Sequence, residues 1–341
     1  MILRHHFLYL FFTILLVVNT DVQAQTETYN SSEMTSKLIQ PPYLKVGDTV
    51  AIVAPSGILK NREREVQQAV DLLKSWGLHT IVGEHVFGKD NHFAGTDDER
   101  CADLQNAMDN PKISAIWCAR GGYGTVRVLD KLNYSEFKKN PKWIIGYSDI
   151  TALHNQVHNE GFLSLHALMC VSLTKDLNDI KEAISTFKST LFGNPENYIL
   201  KGSGYNRVGE TSGELVGGNL TILHTMLGSE TSIDTSGKIL FIEEIGEYKY
   251  HIDRMLQSMK RAGYFNNLKG LIVGDMSRMR TNTTLWGTSV EQLILDALKD
   301  YDFPIAFNMP AGHEKDNRAL VLGKVVELKV GKDMTTVIFE D

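Results

Sequence analysis

Three short stretches carry side chains able to act as nucleophile, acid or base. WIIGYSDIT (143–151) runs from an apolar segment through a glycine to Ser148 and Asp149, with a helical pattern behind them. FIEEIGE (241–247) places Glu243 and Glu244 where an apolar run ends, and MPAGHEKDN (309–317) is a Pro/Gly loop carrying His313. A serine hydroxyl is a weak nucleophile alone and needs a base within hydrogen-bond reach. At a strand-to-helix turn its oxygen is exposed and the backbone N–H of the next residue, Asp149, lies beside it. The helix start adds partial positive charge that suits an oxyanion. The hydrolase elbow is G-x-S-x-G, and here Ile150 replaces the second glycine. Helix capping by Ser148 or Asp149 is therefore a competing reading.

RGGYG (120–124) follows another apolar run. Consecutive glycines can turn backbone N–H groups toward an anion, although a plain tight turn explains them equally well. No Gly-Lys-Ser/Thr follows and G-x-G-x-x-G is absent, so neither a P-loop nor a dinucleotide fingerprint is present. Arg120 at this strand end could clamp a carboxylate bidentately or form a surface ion pair. Glu243 is the first polar residue after four apolar ones and should reach the strand rim. Glu244 should point to the other side, and Glu247 falls in the turn. His166 in LSLHALM is a second histidine candidate, with packing at a strand end as its plainer role. Serine, acid and histidine thus occur in this chain order, each at a strand terminus or in the loop after it. That matches the geometric recipe of a serine hydrolase.

The elements that would position these groups alternate. Strands are expected at 49–57, 79–86, 113–119 and 143–147, with helices at 61–76, 97–109 and 150–159 between or after them and a short helix carrying Val126, Leu129 and Leu132. Apolar strands alternating with helices imply a parallel sheet covered on both faces. An amphipathic helix at 179–192 leads into a Gly-, Asn- and Ser-rich stretch, and 176–210 reads as an inter-domain connection. The second half shows helices at 219–227, 251–262 and 290–299 and strands at 238–244, 270–275 and 303–308. Two β-rich segments, RALVLGKVVELKV and DMTTVIFE, close the chain and suit an antiparallel or barrel-like sheet. The expected fold class is α/β: a parallel-sheet domain over 41–175 carrying the serine, and a β-barrel-like α+β domain over 211–341 carrying the acid and histidine.

The chain has 341 residues, enough for about two domains at about 150 residues each. Arg4, His5 and His6 precede an apolar block from Phe7 to Val18, and Val22-Gln23-Ala24 is a small-x-small cleavage pattern. Residues 1–24 read as a secretory signal, too short in their apolar block for a membrane span of about 20 residues. Residues 25–40 are polar and aperiodic and read as a flexible leader. The net charge of −6 and the lack of a Lys/Arg block argue against nucleic-acid partners. Cys101, Cys118 and Cys170 have no metal-ligand spacing, and their odd number argues against a full disulfide framework. Cys118 and Cys170 lie in apolar runs and read as buried thiols.

Several segments run in one order along nearly the whole expected mature chain: VAPSG (53–57), FAGTDDERCADLQNAMDNP (93–111), AIWCARGGYG (115–124), IIGYSDIT (144–151), GELVGGNLTIL (213–223), ILFIEEIGE (239–247) with IDRML (252–256), GLIVGD (270–275) and FPIAFNMPAGHEKDN (303–317). In this the chain resembles the LD-carboxypeptidases, serine peptidases that include muramoyl-tetrapeptide carboxypeptidases and microcin-immunity peptidases. The resemblance implies two domains with the active site between them. It implies Ser148 as nucleophile, His313 as general base and Glu243 as the acid that orients it, with Glu244 as rival. It implies oxyanion donors at the N–H groups of Asp149 and of the glycine pair, Gly122 being favoured. Arg120 and the 120–124 backbone are candidates for holding the substrate carboxylate. The implied reaction releases the terminal D-alanine of a murein tetrapeptide by cutting an L,D-peptide bond, without metal or other cofactor. Two departures stand out. Where the family often has His-Gly-Pro, this chain has His166-Ala167-Leu168, and its signal segment implies export, to the periplasm, where the familiar recycling members are cytoplasmic.

Rival readings remain. A same-fold peptidase could clear an amidated or nucleotide-linked peptide antibiotic, for which Trp286 in TNTTLWGTS is the one hint. An exported two-lobed protein could instead clamp a solute without catalysis, or an inactive relative could only bind muropeptides. A muropeptide is the expected small-molecule partner, with no nucleic acid and no stable membrane insertion once the signal is removed. Homodimer formation is left open.

Overall fold

The computed structural model describes residues 38–340. The expected signal at 1–24 and all but the end of the expected leader lie outside these residues. Within them, Ile39 donates its N–H to Gly161 at 2.8 Å and accepts from Leu163 at 3.0 Å, so the chain is tied to the fold from there.

The first half builds β1 (Thr49–Val53), α1 (Glu63–Ser75), β2 (His79–Val82), α2 (Asp97–Asp109), β3 (Ile113–Cys118), α3 (Ser135–Lys139), β4 (Trp143–Gly146), α4 (Thr151–Asn159) and β5 (Ser164–His166). The strands are parallel in the order β5-β4-β3-β1-β2. Val50 and Ile52 belong to one apolar cluster while Ala51 and Val53 belong to another, so these strands are buried on both faces. Thr96 starts α2 with a complete capping box: its side chain accepts from the Glu99 N–H, and Glu99 accepts from the Thr96 N–H. The short helix expected around Val126–Leu132 is instead two 3₁₀ turns, Thr125–Arg127 and Leu129–Lys131.

The second half comprises α5 (Lys181–Leu191), β6 (Tyr198–Lys201), β7 (Gly209–Asn219), α6 (Leu220–Thr225), β8 (Ile239–Ile245), α7 (Lys249–Arg261), β9 (Gly270–Ser277), α8 (Val290–Ala297), β10 (Ile305–Ala306), β11 (Leu320–Leu322), β12 (Val325–Val330) and β13 (Met334–Phe339). The stretch 176–210 thus holds a helix and a strand. Seven strands form one sheet in the order β10-β9-β8-β7-β12-β13-β6. β10 to β7 are parallel, and β7 to β6 antiparallel. Of the antiparallel or barrel-like ending expected, the antiparallel form is observed, and the sheet does not close into a barrel. β7 joins both halves of an open sheet, and an isolated bridge, Arg207 to Ile305, draws the β10 edge toward the entry of β7.

The two sheets share a core. Ile239, Phe241 and Ile272 of the second sheet pack in the same cluster as Trp117, Ile145 and Leu165 of the first. β11 leaves the second sheet's sequence and pairs antiparallel with β5, Leu320 opposite His166. The loop after β10 is therefore anchored in one sheet at its start and in the other at its end. That loop carries His313.

Candidate active site

Ser148 stands at the turn between β4 and α4 with φ of +63°, a left-handed backbone rare for a residue with a β-carbon. Such a conformation costs of order 1–3 kcal/mol and persists only where its surroundings impose it. Two glycines leave the room that this tight turn needs. A β-carbon on Gly146 would come within 2.9 Å of Ile150, and one on Gly121 would lie 3.1 Å from the Ser148 β-carbon and 3.3 Å from the Asp149 nitrogen. The Asp149 side chain, 1% exposed, accepts from the Thr125 N–H at 2.9 Å and so ties the glycine turn to the serine turn.

The second sheet supplies the acid. Glu243 and Glu244 are adjacent on β8 and point to opposite sides. Glu244 accepts from the Thr221 N–H at 2.8 Å, the Thr221 hydroxyl at 2.7 Å and Asn219 Nδ2 at 3.2 Å, holding the start of α6. Glu243 is fully buried and its Oε2 lies 2.7 Å from His313 Nδ1. His313 Nε2 lies 3.1 Å from Ser148 Oγ. A carboxylate can only accept, so Nδ1 carries the proton and Nε2 is left to accept from the serine hydroxyl. Glu243, His313 and Ser148 form one continuous hydrogen-bonded line.

The sheets meet closely enough for this because of Gly217 and Gly218, with φ of +128° and +144°. A β-carbon on Gly218 would fall 2.4 Å from Thr151 Oγ1, and the next residue, Asn219, donates its N–H to that same oxygen at 2.9 Å. The first turn of α4 thus lies directly on the end of β7, beside Glu243.

Electrostatics favour a protonatable histidine. Burial alone would lower the His313 pKa, but its bond to Glu243 and the negative charges of Glu243, Glu244 and Asp275 outweigh that and raise it above the ordinary value. Asp275 arises from a bulge in β9, where three steps from Val273 to Met276 oppose two from Ile242 to Glu244. Its Oδ2 accepts from the Glu314 N–H at 3.0 Å, pinning the histidine loop. Burial, joined by the nearby charge of Glu243, pushes its carboxyl up to about 6.

Profiles of the LD-carboxypeptidase N-terminal and C-terminal domains match residues 50–167 and 212–328. A Bacillus subtilis (strain 168) protein named "probable murein peptide carboxypeptidase" is 34% identical over 83% of this chain and 89% of its own length. The chain belongs to the LD-carboxypeptidase family. Among solved structures, the muramoyltetrapeptide carboxypeptidase of Oxalobacter formigenes superimposes with a TM-score of 0.77 at 27% identity, over 86% of this chain and 99% of that one. The microcin C7 self-immunity protein MccF shares the fold at a TM-score of 0.77 and 21% identity, over 89% and 99% of the two chains. The N-terminal family segment here contains Ser148, and the C-terminal one contains Glu243 and His313.

The other expected residues fall around this line. The Gly121 carbonyl accepts from the Gly57 N–H at 3.1 Å, so the Gly122 N–H, trans to it across a planar peptide, points away from Gly57. Arg120 is not free at the strand end: its guanidinium donates to the Ile58 carbonyl and braces the glycine turn. His166 is fully buried beside Phe241 and Tyr147, and burial lowers its pKa to about 3, so it packs as a neutral ring. Cys118 and Cys170 are buried and Cys101 half-buried, all as free thiols. Trp286 lies in a separate pocket with Lys249, Arg280 and Leu285. Tyr147, Asp275 and Asn317 escape the sequence reading. Tyr147 sets its ring edge-on to His313 at 4.9 Å, and Asn317 accepts from the Gly312 N–H at 2.9 Å. Among the described residues, no three or more His, Cys, Asp or Glu side chains gather as a metal site, and no helix is long and apolar enough to cross a membrane.

Proposed function

We propose that this protein is a serine LD-carboxypeptidase that removes the C-terminal D-alanine from murein tetrapeptides, acting outside the cytoplasm. The observation that carries the reading is the histidine held between a buried carboxylate and a strained serine. Relatives named for murein peptides and muramoyltetrapeptides support the substrate class. The N-terminal segment, with its apolar block and Val22-Gln23-Ala24, supports export to the periplasm.

In the reaction Ser148 Oγ attacks the carbonyl carbon of the L,D-bond while its proton passes to His313 Nε2. Glu243, still ionised, stabilises the imidazolium and keeps the ring in register. The backbone N–H groups of Asp149 and Gly122 receive the developing oxyanion, the first strengthened by the helix start. The tetrahedral intermediate collapses with proton transfer from His313 to the D-alanine nitrogen, leaving an ester on Ser148. Water then gives a proton to His313 and attacks the ester, and the serine recovers its proton as the shortened peptide leaves.

The test is incubation of a disaccharide-tetrapeptide with the mature protein and with Ser148→Ala, read by mass spectrometry. Loss of one alanine residue with the parent alone is expected. An intact substrate with both folded proteins would overturn the murein reading and turn attention to a peptide antibiotic.

A further inference from the structure

A cavity of about 150 Å³ adjoins the reacting groups, with Tyr147 and His313 in its wall. This is about ten times the space that one water needs. Its position bears on the chemistry. The imidazole that takes the serine proton must hand it to the departing nitrogen, so the leaving residue has to lie on the His313 side of Ser148. Its lining bears on specificity. Leu168, Ile180 and Ala183 supply an apolar surface.

The polar part points to an anion. Asn317 lines the cavity and is only 3% exposed. Its Oδ1 accepts from the Gly312 N–H at 2.9 Å and faces His166 Nε2 at 3.2 Å. A backbone N–H can only donate, which fixes the amide's orientation and leaves Nδ2 as the remaining donor. Among the described residues Nδ2 has no partner. Leaving such a buried donor unpaired costs about 1–3 kcal/mol, which an acceptor entering the cavity would recover once a small shift of the amide uncovers Nδ2, now closed to solvent. The hydroxyls of Tyr147 and Ser172, 3.4 Å apart, also border the space. Exposed at the mouth are Glu314 and Lys315, the latter 2.9 Å from Asp179.

We propose that this cavity receives the leaving amino acid. Its free carboxylate is held by Asn317 Nδ2, the Tyr147 hydroxyl and the Lys315 ammonium, and its side chain rests on Leu168, Ile180 and Ala183. The inference rests on the peptidase reading above and adds to it a carboxylate anchor and a size limit on the departing residue.

Steady-state kinetics on three tetrapeptides test it, ending in D-alanine, D-leucine and D-alaninamide, with the parent, Thr174→Trp and Lys315→Met. Thr174 borders the cavity, so tryptophan there should fill it. The parent should favour D-alanine at least tenfold in kcat/KM over both other substrates. Thr174→Trp should lose at least tenfold on D-alanine, and Lys315→Met should lose most of the carboxylate-over-amide preference. Labelling of Ser148 by a fluorophosphonate reports whether the triad is assembled in each protein. If Thr174→Trp fails to fold, the exposed Lys315→Met change decides alone. Variants that keep the parent's selectivity overturn this inference and leave the peptidase reading standing. A parent that is labelled but cleaves none of the peptides overturns both.

Discussion

Ser148, His313 and Glu243 come from three distant parts of the chain, and each could be found because strands end in polar residues where chemistry is exposed. The choice between Glu243 and Glu244 follows from strand alternation: one carboxylate meets His313, while its neighbour holds Thr221. Glu243→Gln should keep the fold and lower kcat by about 10³–10⁴-fold, because an amide can present the wrong tautomer to the ring. The base must be neutral, so kcat/KM should rise with pH through a value above that of an ordinary histidine, as the raised His313 pKa requires. Asp275→Asn removes one of the charges that raise it and should move this limb to lower pH. The same variant has a stability signature. The folded protein holds the Asp275 proton up to about 6 against an ordinary 3.8, so that stabilising contribution is complete below 3.8 and lost as pH rises through 6. The melting temperature of Asp275→Asn relative to the parent should therefore increase from pH 4 to pH 7. The part played by Asp275 was not legible beforehand, because it reaches the site only through a β9 bulge whose register depends on β8.

Helices with either an apolar stripe or a capping signal were readable to within a residue or two. The span 97–109 is α2 as observed, and of the two residues that could start it, Thr96 and Asp97, the cap is Thr96. Thr96→Ala should cost about 1 kcal/mol of stability in denaturant unfolding and leave kcat alone. Elements with weak local signals were not readable. β6 alternates inward Tyr198 and Leu200 with outward Ile199 and Lys201, but its four residues are hidden among Gly, Asn and Ser. The glycine pair in GELVGGN was visible as a motif, yet its purpose needed the partner surface. Gly218→Ala would drive a β-carbon against Thr151 and push the serine turn away from β8. Thermal unfolding should show a loss of roughly 1–3 kcal/mol, accompanied by a fall in kcat in protein that remains folded.

Across the whole molecule, the sequence reading anticipated an α/β chain with two domains and an antiparallel or barrel-like ending; that the second sheet stays open was not legible, because closure depends on the pairing of distant edges. β11 was equally hidden, since three apolar residues near the end of the chain give no hint that they will pair with β5. That crossing and the shared core of Phe241, Trp117 and Leu165 join the sheets as one packed body. This counts against a clamp that opens freely about a hinge. Residues 38–175 expressed alone lack β11 and the apolar face that covers β5, and circular dichroism with proteolysis should find them unfolded or aggregated. A stable, protease-resistant fragment would contradict the shared core. Export is tested separately by sequencing the N-terminus of the protein made from the full gene, which should begin near Gln25.

The most direct measurement is intact-mass analysis of the parent and His313→Ala after exposure to a fluorophosphonate at neutral pH, followed by peptide mapping. One adduct per chain on Ser148, formed quickly in the parent and at least about a hundredfold more slowly without the imidazole, is the expected result. No adduct, an adduct elsewhere, or an equal rate in the two folded proteins would contradict the assignment of Ser148 as a nucleophile activated by His313.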